Sequence, residues 1–185
     1  MKEVFQGHAL INLGLLADFH NHVNALLEEA KSTIEEIENN STYWLHIYNH
    51  DFKYRLRESV FLMVFGHLEE MLLLLRENDM PKTQSNSLIK KFSPVFIKAF
   101  GENALQRKDI CHIKSALLIR NTLLHSSGRP DIMRNEKNIL SLIDKHPDHY
   151  SIRNQRIIIT ASGPNSLIKA TENLVKDLSS KLLQE

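Results

Sequence analysis

The chain has 185 residues, 42% hydrophobic and 24% charged, with a formal net charge of +1 and only 6 glycines and 5 prolines. That is room for one domain with a real core, and so few chain breakers favour helices over a turn-rich β architecture. A single cysteine, Cys111, excludes an intramolecular disulfide and a CxxC metal site. No apolar run is long enough for a bilayer, and MKEVFQGHALINLG lacks a cleavage site after a sustained apolar stretch, so a cytoplasmic protein is expected.

The first periodic segment runs from about Gly7 to Glu38, with Leu16, Phe19, Val23, Leu26, Leu27, Ala30, Ile34 and Ile37 at helical spacing. Asn39, Asn40 and Ser41 end it, and an aromatic connector from Tyr43 to Tyr48 follows. Asp51 is placed to cap a second helix. Its apolar positions Phe61, Val64, Phe65, Leu68, Met71, Leu72 and Leu75 cover more than one narrow stripe, which predicts a central helix packed on several sides. Pro81 and the polar stretch Lys82 to Ser87 read as a linker. A shorter helix is predicted over about Ser87 to Phe100, with Pro94 as a kink or boundary and Gly101 as its stop.

Asp109 is placed to cap a fourth long segment running to Ser126, with Gly128 just beyond as a stop. Residues 129–150, with Pro130 and Pro147, read as a long loop. The segment YSIRNQRIIIT, Tyr150 to Thr160, is rich in β-branched residues and predicts a short hairpin. Ser162, Gly163 and Pro164 then lead into a last helix with Leu167, Ala170, Leu174, Val175 and Leu178 on one face. The expectation is a single all-α domain over residues 1–185, with about five helices and a β-hairpin near 150–160.

Charge is unevenly spread. Residues 1–50 carry two lysines against seven carboxylates, whereas residues 80–120 carry eight lysines and arginines against two carboxylates. Such asymmetry can leave one face attractive to phosphate; the alternative is a solvated mixed surface.

The fourth long segment holds an anomaly. With about 100° per residue, Ile110, Ile113, Leu117 and Leu124 share one stripe, and Arg120 and Asn121 fall inside or beside it. His125 lies at its other edge, in the last turn. Burying an unpaired arginine costs several kcal/mol, so this face must open onto a cleft or meet a polar partner. Asn121 and His125 are one turn apart. Arg120 and His125 are about 140° apart around the axis, and two copies packed about a two-fold axis could bring both pairs into one groove.

Arg120-Asn121-Thr122-Leu123-Leu124-His125, an R-N-x-x-x-H run at the end of a helix, resembles the signature of the HEPN superfamily. The context SALLIRNTLLHSSGRPD agrees, and VFLMVFGHLEEMLLLL resembles the second helix of these proteins, which often carries a glutamate; Glu69 is the first choice for it and Glu70 the other. The resemblance implies an up-and-down helical bundle that forms a homodimer through the motif helix. It implies a metal-independent endoribonuclease without cofactor, of the kind found in toxin–antitoxin, phage-defence and RNA-processing systems, with RNA as substrate and an antitoxin or regulatory protein as a further partner. Some members are non-catalytic modules that bind RNA, nucleotide or protein.

The chemistry is coherent with these side chains. RNA carries its own nucleophile, the 2′-hydroxyl, so an enzyme need only move protons and stabilise the phosphate. An imidazole such as His125 can move the protons, Arg120 can hold the phosphate, and Asn121 can orient either. DNA lacks the 2′-hydroxyl and would not be cleaved. Arg129, Arg134, Arg153 and Arg156 could line an RNA path or serve as ordinary surface charge. Tyr43, Trp44 and Tyr48 could stack bases, although packing is the commoner use of such residues. The histidine pairs 20/22, 46/50 and 146/149 lack an evident third ligand, so no metal site is expected. A scaffold role, with the motif used only in packing, is a third reading.

Overall fold

The computed structural model describes residues 2–37, 51–76, 85 and 87–183, with side chains described from residue 7 to 31 in the first helix. The described residues form seven α-helices and one two-stranded sheet: α1 (Lys2–Ile37), α2 (Lys53–Leu75), α3 (Leu88–Lys91), α4 (Ser93–Phe100), α5 (Lys108–Ser126), α6 (Glu136–Lys145), β1 (Tyr150–Arg153), β2 (Arg156–Ile159) and α7 (Ser162–Leu182). The aromatic connector with Trp44, the pair His46/His50, the Asn39–Ser41 stop, Pro81 and Lys82 lie outside the described residues.

Helix α2 is central, as its multi-sided apolar pattern predicts: Val60, Phe61, Val64, Phe65, Leu68, Met71, Leu72 and Leu75 are all buried. It packs against α1 and α7, and α5 packs on α7. The last helix buries Leu167, Ala170, Leu174, Val175 and Leu178, the face read from its periodicity. His67 Nε2 lies 3.0 Å from the Ala9 carbonyl oxygen, tying α2 to α1.

Several local expectations change. Helix α1 starts at Lys2 rather than near Gly7, and it buries Ala9, Leu13 and His20 while Phe19 and Leu26 of the expected stripe are exposed. Asp51 does not cap α2; the capping position is Phe52, with no side-chain cap bond. The helix expected over 87–100 is two, broken at Phe92, and Pro94 stands in the first turn of α4, where a missing N–H costs nothing. Gly101, at φ 78°, ends α4 by donating its N–H to the Ile97 carbonyl at 2.8 Å. Asp109 lies inside the first turn of α5, beyond the cap at Arg107.

The largest correction is α6, which occupies ten residues of the expected 129–150 loop and buries Ile139, Leu142 and Ile143. Pro130 opens a short 3-10 turn and Pro147 follows the end of α6, so neither breaks a helix. The hairpin is present. Tyr150 pairs Ile159 and Arg153 pairs Arg156, and both turn residues, Asn154 and Gln155, have positive φ, the requirement of a tight two-residue hairpin turn.

Candidate functional site

Helix α5 changes its buried face halfway along. Its first half buries Ile110, Ile113 and Leu117, whereas its second half buries Ile119, Thr122 and Ser126, on the opposite side of the helix at about 100° per residue. Two hydroxyls make the second face tolerable in the core. Thr122 Oγ1 donates to the Leu118 carbonyl at 2.9 Å and Ser126 Oγ to the Thr122 carbonyl at 2.7 Å. The original stripe is thereby released from the core where Arg120, Asn121 and Leu124 continue it. Leu124, expected to be buried, is 48% exposed.

Released there, Arg120 and Asn121 border a cavity of about 550 Å³ between α2, α3 and α5, together with Glu69, Lys91 and Leu117. Arg120 is half-buried and donates from Nη1 to Asn121 Oδ1 at 3.1 Å. Lys91 Nζ donates to Glu69 Oε1 at 2.7 Å across the same cavity. Glu69 thus joins the motif arginine and asparagine at one site, while Glu70 is exposed and faces His67 at 3.7 Å. Lys91 carries no signal of its own in the sequence, because only the tertiary fold sets it beside a carboxylate 22 residues earlier.

His125 is exposed in the last turn of α5 and lines neither this cavity nor the next. Beyond it, Ser127 and Gly128 both adopt positive φ. Gly128 donates its N–H to the Thr122 carbonyl at 3.0 Å and accepts from the Ile157 N–H at 2.8 Å, which docks β2 against the helix end. A Cβ on Gly128 would meet Leu123 Cδ2 at 3.4 Å and would have to sit at φ +79°, so glycine is required by the turn.

The remaining arginines divide. Arg153 and Arg156 border a second cavity of about 350 Å³, with Tyr54, Arg55, Leu123 and Ser127. Arg156 Nη1 donates to the Ser127 carbonyl at 3.2 Å and Arg153 Nη1 to Tyr54 Oη at 3.3 Å. Arg129 is committed to Asp131 through two contacts, at 3.2 and 2.6 Å. That pairing raises the Arg129 guanidinium above its ordinary value and holds the Asp131 carboxyl below its own. Arg134 is exposed. Tyr54 and Arg55 carry no sequence signal of their own; the hairpin brings them to the site from 99 residues away in the case of the Tyr54–Arg153 contact.

No family model, curated protein or solved structure matches the chain. What defines it is a mostly helical fold in which an arginine, an asparagine and a glutamate–lysine pair border one cavity on the motif helix. No helix among the described residues is long and apolar enough to cross a membrane. Among them, no group of three or more histidine, cysteine, aspartate and glutamate side chains is arranged to hold a metal ion.

Three histidines away from the motif are perturbed. Burial lowers the pKa of His20, His112 and His149, and for His112 and His149 neighbouring imidazoles lower it further. The unfolded chain therefore binds more protons than the folded one below the ordinary imidazole value of 6.5. Their contribution to stability is present above that value and is lost as pH falls through it. Urea midpoints measured between pH 8 and pH 5 should decrease steadily on the acid side; a flat profile would show that these rings carry no such cost.

Proposed function

We propose that this chain is a metal-independent endoribonuclease that cleaves RNA by attack of the 2′-hydroxyl on the adjacent phosphate, acting as a homodimer through α5. The carrying observation is that Arg120 and Asn121 border a cavity instead of the core, in line with a stripe whose earlier members Ile110, Ile113 and Leu117 are apolar and buried. A guanidinium at that wall can make a charge-assisted contact to a phosphate, stronger as negative charge accumulates in the transition state. Asn121 Oδ1 fixes the guanidinium. His125 takes the 2′-hydroxyl proton and returns one to the leaving 5′-oxygen, leaving a 2′,3′-cyclic phosphate and a 5′-hydroxyl.

In one copy His125 lies about 140° around the helix from Arg120, so the reading needs a second copy of α5 to bring a histidine to each arginine. Exposed Leu124, on the same outer side, supplies apolar area for that contact. Arg153 and Arg156, with Tyr54, offer a path for flanking nucleotides. The R-N-x-x-x-H resemblance extends the proposal to a toxin or phage-defence effector silenced by an antitoxin or regulatory protein. One observation favours a second reading, a non-catalytic module that binds RNA, nucleotide or protein: His125 lines neither cavity of the single chain.

The test is incubation of the purified protein with transfer RNA and with an unstructured RNA in the presence of EDTA, with product ends read by mass spectrometry. Cyclic phosphate ends from both or either RNA, and an intact DNA of the same sequence, are expected. A folded dimer that leaves every RNA intact would move the assignment to the binding module.

A further inference from the structure

A groove of about 1000 Å³ runs between α5 and α7 and shares no lining residue with the two cavities above. Four cations border it. Arg107 is committed to Asp109 at 2.7 Å and Asp177 at 2.5 Å, and Lys169 reaches Glu172 at 3.5 Å. Lys108 and Lys176 line the groove with no carboxylate in ion-pair contact among the described residues. Because Arg107 is shared by two carboxylates, these four cations and the three carboxylates they meet leave one net positive charge at the groove, with Lys108 and Lys176 the two cations outside the ion pairs.

Two imidazoles, His112 and His146, line the groove, and a third, His149, lies behind them against His146 and Ser166. The ring centroids of His112, His146 and His149 are 6.4, 6.0 and 5.9 Å apart, with His146 and His149 stacked and His112 edge-on to both. The edge of Tyr150 packs on His149 from the hairpin side. Ser166, which lines the groove from α7, joins two of the rings: its Oγ is 3.2 Å from both His112 Nε2 and His149 Nε2.

The hydrogen-bond network assigns the protons. Ser162 Oγ donates to the Asp148 carbonyl, so it accepts from His149 Nδ1–H at 3.2 Å. Neutral His149 then presents a lone pair at Nε2, which accepts a hydrogen bond donated by the Ser166 hydroxyl, and Ser166 Oγ accepts from His112 Nε2–H. If His149 gains a proton at Nε2, that nitrogen becomes a donor. Ser166 Oγ then accepts from both rings, and its own proton is free to point into the groove. One protonation at the cluster therefore adds a positive charge beside the groove and turns a hydroxyl donor toward it.

We propose that this groove binds a phosphate dianion, free or as the monoester of a small molecule, with uptake of one proton by the histidine cluster. Lys108 and Lys176 supply the fixed charge, Ser166 and Asn173 neutral donors, and the volume leaves room for the body of an ester beside the phosphate. Burial and mutual repulsion hold His112 and His149 below the ordinary imidazole value, with Asp148 opposing at His149. An adjacent dianion reverses that balance by favouring the charged ring. The proposal does not depend on the ribonuclease reading, because the groove and the motif cavity are separate.

The test follows the His112 and His149 ring protons by NMR through a pH titration, with and without inorganic phosphate, and in a second arm with glycerol 2-phosphate. Reading the protein's own resonances keeps the titration of the phosphate out of the result. Saturable binding is expected, with the His149 titration moved upward by about one pH unit, equivalent to about tenfold tighter binding on the acid side. Tighter binding of glycerol 2-phosphate would identify an ester ligand, and tighter binding of the inorganic ion a free one. The Lys108→Ala/Lys176→Ala double variant should bind at least about tenfold more weakly while its histidines titrate normally without phosphate. Ser166→Ala, its fold checked by thermal melting, should keep residual binding and show a smaller upward movement, since the through-space effect of the dianion remains while the hydroxyl link is gone. No saturable binding by the wild-type protein, binding that survives the double lysine change, or a His149 titration that ignores phosphate would each overturn the proposal.

Discussion

Arg120→Ala and His125→Ala proteins, each inactive alone, should regain RNA cleavage when mixed and refolded together. The expectation follows from helix geometry. Within one α5 the two side chains are five residues and about 140° apart, and Arg120 borders a cavity that His125 does not reach. If each site takes its arginine from one copy and its histidine from the other, a mixed dimer holds one site with both groups intact and one with neither. Random pairing gives mixed dimers in half of the population, so recovery should approach about a quarter of wild-type activity. Each single variant should fall by about 10²–10⁴-fold for the proton-transfer group and about 10²–10³-fold for the charge-stabilising group. Equal inactivity of the mixture, with mixed dimers demonstrated by native mass spectrometry, would place both groups in one copy or remove catalysis from the motif. Asn121→Ala should fall less, because its amide orients Arg120 rather than meeting charge itself.

Gly163→Ala should destabilise the fold by about 1–3 kcal/mol, through overpacking rather than through helix propensity. Alanine is the better helix former in isolation, so propensity alone has the opposite sign. At Gly163 a Cβ would stand 2.7 Å from Ile159 Cγ2 and 2.9 Å from the His149 carbonyl oxygen. The first atom belongs to a side chain fully buried in the core, and the second to backbone that carries the His149 turn, so neither can step aside cheaply. Thermal unfolding should drop by several degrees, given about 2–4 °C per kcal/mol at this chain length. An unchanged or raised midpoint would mean that the start of α7 can move away from the hairpin without loss. Because the same turn holds His149 against Ser162, the variant should also disturb the His149 ring resonances.

Periodicity read the interior correctly where one helix face or one multi-sided core decides burial. Phe61, Val64, Leu68 and Leu72 in α2, and Leu167, Leu174 and Leu178 in α7, are buried as their spacing predicts. The hairpin was legible because β-branched residues flank a two-residue turn, Asn154-Gln155. Helix α6 was hidden by its neighbours. Pro130 and Pro147 suggest a loop, but they bracket a ten-residue helix with three core positions, and so long a structureless loop is rare in a compact domain.

The motif helix marks the division between what the sequence settled and what it could not. The sequence by itself determined that Arg120 and Asn121 interrupt an apolar stripe, and the cost of burying an unpaired guanidinium required an opening there. It also determined where α5 ends, since a glycine two residues beyond Ser126 can take the positive φ that closes a helix, as Gly128 does at φ 79°. Only the tertiary structure decided that α5 switches its buried side between Leu117 and Ile119, that Lys91 meets Glu69 across the cavity, and that His112 joins His146 and His149 around Ser166. The reason is physical. Spacing along a chain fixes which residues share a face of their own helix, whereas which face is covered depends on neighbours that arrive from distant segments, and no local period encodes their arrival.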